Sequence, residues 1–346
     1  MIYFNNDYSE GCHPEILKVL TETNEVQTPG YGTDSYCASA AERIKHACQC
    51  DRASVHFLVG GTQANLTVIA AALRPYQGVL CADTGHINVH ETGAIEATGH
   101  KVLGQLSADG KITASQVENE VLLHKSAADA EHMVQPKMVY ISHPTEVGTL
   151  YTKGELTALS EVCKKYGLFL FLDGARLSYA LSAEGSDLSL PDLAEMCDVF
   201  YIGGTKCGAL FGEAVVITNE LLDQDFRYMI KQRGGMLAKG RLLGIQFDTL
   251  FRDELYLKVG SQANQLANQI RKTIIELGYR ELVPTSSNQV FPILPDDVLE
   301  ELAKTFCFTE MHRVDSKHRC VRFCTSWATK AEHVNLLCDT LRAICK

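Results

Sequence analysis

Five consecutive apolar residues, Leu168-Phe169-Leu170-Phe171-Leu172, stand between an amphipathic helical pattern and a second apolar run at Val199–Ile202. Such a run is too short for a helix. With no polar alternation, it fits only a strand covered on both faces. The chain around it repeats the theme. Ser54–Val59, Gly78–Ala82, Lys101–Leu106 and Lys137–Ser142 read as strands. Between and after them, Thr62–Leu73, Val89–Ala97, Thr113–His124 and Lys153–Tyr166 carry helical spacing, and a short helix is expected around Leu190–Met196. Strands that alternate with helices specify an α/β fold whose parallel sheet is covered by helices on both sides. Glu213–Thr218 is one more strand. The gap from Lys206 to Glu213 leaves no room for a crossover helix, so this strand is predicted to lie antiparallel.

A chain of 346 residues is long enough for two domains. Residues 1–30, with a short helical pattern at His13–Thr23, read as an arm. Residues 31–245 read as the large domain. The pattern then turns helical at Gly240–Leu257 and Ser261–Leu277 and returns to mixed α/β: Val290–Leu294, Asp296–Lys304, Cys320–Cys324 and Lys330–Cys345. A smaller α/β domain over 246–346 is expected. The formal net charge of -10, with no basic cluster, argues against nucleic-acid binding. MIYFNNDYSEG lacks the basic flank and apolar core of a signal peptide. The most apolar stretches are broken before they could span a bilayer. A cytoplasmic location, with no membrane partner, is expected. The 13 cysteines are scattered and odd in number, and read as thiols. Cys48-Gln-Cys50 has no matching second pair, so no metal site is expected.

Five short segments carry chemistry. In Asp198–Gly212, DVFYIGGTKCGALFG, an apolar strand stops at a glycine-rich turn that holds one lysine, Lys206. Ligands of open α/β sheets sit at the carboxyl ends of strands. A lysine stripped of hydration there becomes a nucleophilic amine able to bond an aldehyde cofactor. Taken alone, a solvated lysine in a glycine turn is the plainer account. Gly60-Gly61-Thr62 joins the first sheet strand to a helix, where free N–H groups and a hydroxyl suit a phosphate. An ordinary capped turn would look the same. Asp173 ends the buried apolar run and needs a partner, either Arg176 three residues on or a protonated ring nitrogen. His86 follows the strand Gly78–Ala82 and could stack on a planar ring or move protons. Arg322 interrupts the apolar pattern Cys320–Cys324. It could grip a carboxylate through two parallel hydrogen bonds, or simply face water on an edge strand.

A phosphate cradle, a stacking ring, an acid, an amine and a carboxylate clamp thus follow one another on successive strand ends. With Phe4-Asn5-Asn6-Asp7, Tyr31-Gly32, Glu91-Thr92-Gly93-Ala94, Asp173-Gly174-Ala175-Arg176-Leu177 and Thr205-Lys206, the chain resembles the threonine aldolase and β-eliminating lyase family of pyridoxal-phosphate enzymes. The resemblance covers nearly the whole chain. It implies fold type I, aspartate aminotransferase-like, with a mostly parallel seven-stranded sheet and a smaller C-terminal domain. It also implies pyridoxal 5'-phosphate as cofactor. By that resemblance Lys206 carries the cofactor, Gly60, Gly61 and Thr62 hold its phosphate, His86 stacks on its ring, and Asp173 pairs with its nitrogen. Arg176 approaches the cofactor or the substrate carboxylate, and Arg322 binds that carboxylate. Homodimers or homotetramers with interface sites are implied too, with Tyr31 and a basic residue of Lys231–Lys239 reaching a neighbour's phosphate. Three segments depart from the family, one being the lysine turn Gly203-Gly204-Thr205-Lys206-Cys207-Gly208, where Ser-Leu-Ser-Lys-Gly is more common. Asn6 stands where a carboxylate-binding serine is usual. Ser142-His143-Pro144-Thr145-Glu146 replaces the usual Glu-Asn-Thr-His-Asn, leaving His143 and Glu146 as candidates for the group near the β-hydroxyl. The implied activity is retro-aldol cleavage of a β-hydroxy-α-amino acid, L-threonine or L-allo-threonine, to glycine and an aldehyde. β-Elimination or transamination on the same scaffold, and a non-catalytic pyridoxal-phosphate-binding role, are the alternatives.

Overall fold

A computed structural model describes residues 1–345. Its strands, in chain order, are β1 (Ile2–Tyr3), β2 (Ser54–Leu58), β3 (Gln77–Ala82), β4 (Lys101–Gln105), β5 (Gln135–Ser142), β6 (Phe169–Asp173), β7 (Val199–Gly203), β8 (Glu213–Ile217), β9 (Gln289–Val290), β10 (Ile293–Pro295), β11 (Phe306–Cys307), β12 (Thr309–Arg313) and β13 (His318–Cys324). Seven of them form one sheet in the order β2-β8-β7-β6-β5-β3-β4. Only β8 runs antiparallel to its neighbours there, as the short loop before it requires.

The unbroken apolar runs follow from burial on both sides. Leu170 and Leu172 of β6 pack into one hydrophobic layer, with Phe200 and Ile202 of β7. Phe171 points to the other, with Val199 and Tyr201. Each strand residue finds a core whichever way it faces, so no polar alternation appears. The helix Lys153–Tyr166 lies where its spacing put it. Thr152 and Glu155 form a capping box at its start, and Gly167 ends it at φ 69°. β10, β13 and β12 form a separate, smaller sheet, with β9 paired to β13. The helices Leu255–Glu276, Asp296–Leu302 and Ala331–Ile344 cover its core of Phe4, Val321, Phe323 and Leu337. β1 pairs with β11, so the start of the chain is stitched to this smaller unit.

Three expectations need correction. The predicted helix Val89–Ala97 is a single turn, His86–Val89, followed by turns with Thr92 and Gly93 in the left-handed region and a 3-10 turn at Glu96–Thr98. Its interruption lets Glu91 turn inward beneath the site. The break between the two long helices falls at Asp253 and Glu254 (φ 50° and 57°), not at Gly260. Gly260 sits inside Leu255–Glu276 for close packing: a Cβ there would stand 2.3 Å from the Ser178 hydroxyl. The run Val290–Leu294 splits into β9 and β10 around Phe291-Pro292, where proline has no N–H to give a ladder. No helix among the described residues is long and apolar enough to cross a membrane.

Candidate active site

The ends of β6 and β7 approach so closely that only glycine fits. A Cβ on Gly174 would lie 2.1 Å from the Tyr201 carbonyl oxygen, and one on Gly203 would lie 2.3 Å from that of Ala175. This contact brings the residues that follow, Lys206 from β7 and Asp173–Arg176 from β6, to one cavity of about 340 Å³. Gly60, Gly61 and Thr62 wall it from the β2 side, and His86, Glu146 and Tyr8 complete it.

Lys206 is half-buried there, and its amine makes no hydrogen bond or ion pair among the described residues. Burial, then the charge of Arg176, lowers its pKa against the opposing fields of Asp7, Asp173 and Glu213. Asp173 is buried. Burial works to raise its pKa, but the charge of His86 and hydrogen bonding outweigh it and hold the carboxyl below its usual value. Oδ2 accepts from the Tyr140 hydroxyl (2.5 Å) and the Asn65 amide (3.1 Å), and Oδ1 from the Ala175 N–H (3.0 Å). An anion so supplied with donors suits a cationic ring nitrogen.

Asn65 also donates to Glu91 (2.7 Å), and Glu91 Oε1 lies 2.8 Å from His86 Nδ1. Burial disfavours the charged imidazole. The Glu91 hydrogen bond and the charges of Asp173 and Glu91 prevail, and the His86 pKa is raised. Glu91 fixes the ring through Nδ1 and leaves Nε2 uncommitted. The His86 backbone N–H donates to Glu146 Oε1 (2.9 Å), as does the Ser142 hydroxyl (2.6 Å). Burial raises the Glu146 pKa despite these bonds.

The helix Gly61–Ala72 opens directly on the cavity, with no side-chain cap at Gly60. A Cβ on Gly61 would meet the Tyr201 hydroxyl at 2.8 Å, so bare backbone faces the space. Its free N–H groups, with the Thr62 hydroxyl, are donors of the kind an anion takes.

Arg176 is bound bidentately by Asp7 (2.6 and 3.0 Å), a buried pair that ties the arm to β6. Arg322, on β13, lies outside the cavity wall. It donates to the Asn5 carbonyl (3.0 Å) and to Gln289 Oε1 (3.3 Å). Arg322 Nε and Gln289 Nε2 are buried donors without acceptors among the described residues. On two side chains already in contact, each of these donors is costly to leave unpaired. Asn6 is used locally: its Oδ1 accepts from Tyr8 N–H and the Ser9 hydroxyl, both at 3.0 Å.

His143 does not join this group. It is fully buried away from the cavity, accepts from the Tyr151 N–H at Nδ1 (3.3 Å), and burial pushes its pKa down to about 4. The turn through Pro144 directs its ring into the core and presents Glu146 instead. Tyr31, Lys231 and Lys239 are exposed and lie apart from the cavity, with the Lys231 amine 4.9 Å from the Tyr31 ring. Glu91, Asn65, Tyr140, Gln289 and Glu213 received no role from the sequence. Asn65 within an apolar helix and Glu213 opening the apolar strand EAVVI were visible irregularities. Tyr140 gave no signal, because a tyrosine suits any strand.

The family profile described as beta-eliminating lyase matches residues 14–297. A low specificity L-threonine aldolase of Pseudomonas aeruginosa is 31% identical over 345 residues, 99% of this chain and 97% of that protein. Among solved structures, a threonine aldolase of Leishmania major superposes with a TM-score of 0.97 at 45% identity, covering 100% of both chains. An aspartate aminotransferase of Thermus thermophilus shares the fold, with a TM-score of 0.71 at 12% identity over 99% of this chain and 91% of that one.

Proposed function

Since this chain belongs to the β-eliminating lyase family, the threonine aldolase-like group of fold-type I pyridoxal-phosphate enzymes, we propose that it cleaves L-threonine or L-allo-threonine to glycine and an aldehyde. The observation that carries this reading is the cavity in which Lys206, Asp173, His86 and the Gly60–Thr62 turn meet. When bound there, pyridoxal 5'-phosphate supplies the electron sink for the pair released from the Cα–Cβ bond.

The residues fit that group. The unpartnered Lys206 amine is the attachment point, and Gly60, Gly61 and Thr62 leave backbone bare for a phosphate. Asp173, held ionised, would pair with the ring nitrogen, and His86, braced by Glu91, would stack on the ring. Arg322 and Gln289 offer their free donors to the substrate carboxylate. Arg176, tied by Asp7, contributes its remaining edge. Glu146 takes the β-hydroxyl proton, because burial gives its carboxylate a raised proton affinity at the cavity wall. The site is completed by a second copy that meets the face of Tyr31, Lys231 and Lys239.

The test follows glycine, the product common to every such substrate. The purified holoenzyme should exchange the glycine α-proton with heavy water and release glycine from threonine. Glu146→Gln should lose about 10²–10⁴-fold in threonine cleavage while glycine exchange, which involves no β-hydroxyl, persists. Equal loss of both would remove Glu146 from the role. Pyruvate formed from serine, with no glycine exchange, would replace the aldolase reading by an eliminase.

A further inference from the structure

Asn65 is a buried polar residue that has no part in the cleavage described above. It sits in the helix Gly61–Ala72, one turn beyond Thr62, and is fully buried. Its amide nitrogen lies 2.7 Å from Glu91 Oε1 and 3.1 Å from Asp173 Oδ2. Two carboxylates that face one atom fix the orientation of the amide. That atom is the nitrogen, which gives one hydrogen to each. The carbonyl Oδ1 then turns away and finds no partner among the described residues. A buried acceptor left unmet is unfavourable. The two carboxylates, not the needs of the amide itself, therefore set how Asn65 sits.

The source of each hydrogen bond to Asp173 narrows the role. Tyr140 donates from β5, the next strand of the sheet, and Ala175 from the turn that follows Asp173 itself. Both belong to the sheet and its loops. Of these three donors, Asn65 alone comes from the helix that opens on the cavity at Gly61 and Thr62. The other charged groups whose fields reach Asp173 are His86, Lys206, Glu146 and Glu213. None of them hydrogen-bonds to it among the described residues. A rigid ligand held at its phosphate and at its ring nitrogen needs two anchors at a set separation, and anchors fixed in advance favour its binding. The phosphate donors lie on the helix and Asp173 lies on the sheet. Asn65 links the two, and Glu91 takes the second hydrogen, which stops the amide from rotating off Asp173.

We propose that Asn65 is a positioning residue: its amide, steadied by Glu91, holds the Asp173 carboxylate in register with the phosphate-cradling turn, so that both ends of the cofactor are met at once. A leucine could fill the same space in the helix without an unmet carbonyl, but it would register nothing. The inference rests on Asp173 as the partner of the ring nitrogen.

The test compares two probes, pyridoxal 5'-phosphate and its deaza analogue, in which a C–H group replaces the ring nitrogen. Apparent dissociation constants are measured by titrating the full-length, cofactor-free chain at one fixed pH. The analogue keeps the phosphate, the aldehyde and the stacking face, so the ratio of the two constants reports on the ring nitrogen. Any intrinsic difference between the probes is common to wild type and variants. Wild type should prefer the natural form. Asn65→Leu should cut that preference by about tenfold or more, as expected for a lost hydrogen bond to a charged group. A residue that only fills the core would weaken both probes alike, so an undiminished preference in Asn65→Leu overturns the proposal. Should Asn65→Leu fail a thermal-melting check for folding, the same ratio in Asn65→Val decides. The Asp173→Asn arm separates the two claims. A preference lost there but kept in the Asn65 variants refutes the positioning role alone. A preference that survives Asp173→Asn, or a wild type with none, refutes the pairing of Asp173 with the ring nitrogen itself.

Discussion

The state of His86 depends on a residue that never enters the cavity wall. Glu91 lies beneath the ring, and its hydrogen bond to Nδ1 is the largest of the effects that raise the His86 pKa against burial. Glu91→Gln should therefore lower that pKa, read from the imidazole proton shifts by NMR. The sign for stability follows. A histidine whose folded pKa is raised adds stability that is fully present below its unfolded value, about 6.5. That contribution is lost as pH rises through the folded value. The melting-temperature gap between wild type and Glu91→Gln should be wider in mild acid than in mild base; a gap that widens with pH would contradict the assignment. The carboxylate–imidazole pair was legible only in part. His86 was marked by its place after a strand. Glu91 was hidden, because its helical spacing predicted a continuous helix through Ala97. The turns at Thr92 and Gly93 that aim it inward are set by what lies beneath them.

Among the elements, the β6 and β7 ends decide the site. Asp173 and Lys206 are 33 positions apart in the chain, and they share a cavity because Gly174 and Gly203 let two backbones touch. In Gly203→Ala the new methyl would fall 2.3 Å from the Ala175 carbonyl oxygen, with backbone on both sides and no flexible side chain to move. The expected cost is about 1–3 kcal/mol, seen as a lower melting temperature together with weaker cofactor retention. A variant with unchanged stability and retention would show that these strand ends have slack. The glycines were visible in the sequence as turn formers. Their role in interstrand approach was not, because a turn glycine and a packing glycine are spelled alike.

Across the whole molecule, the first residues connect parts that the chain order keeps far apart. β1 pairs with β11, the Asn5 carbonyl receives Arg322, and Asp7 binds Arg176 on the large sheet. The arm thus gives the smaller unit's arginine a backbone acceptor. The exposed face of Tyr31, with Arg227 donating to its carbonyl oxygen (3.1 Å) and Lys231 over its ring, is where a second copy is proposed to complete the site. Sedimentation should then give more than one chain per particle. Lys231→Glu should shift it toward single chains and loosen the cofactor; a monomeric wild type that retains its cofactor would refute this assembly. The sequence by itself determined the strand–helix alternation, the antiparallel β8, and the turns that carry Lys206, Asp173 and the Gly60–Thr62 cradle. Those features arise from local periodicity and backbone freedom, which are written residue by residue. Tertiary structure alone decided that His143 turns into the core while Glu146 faces the cavity, and that Asn65 joins Glu91 to Asp173. It also decided that Arg176 is tied to Asp7 and that Glu213 stands in the cavity wall with Lys206. Each of these depends on which buried donor meets which acceptor, and that is set only when distant strands pack.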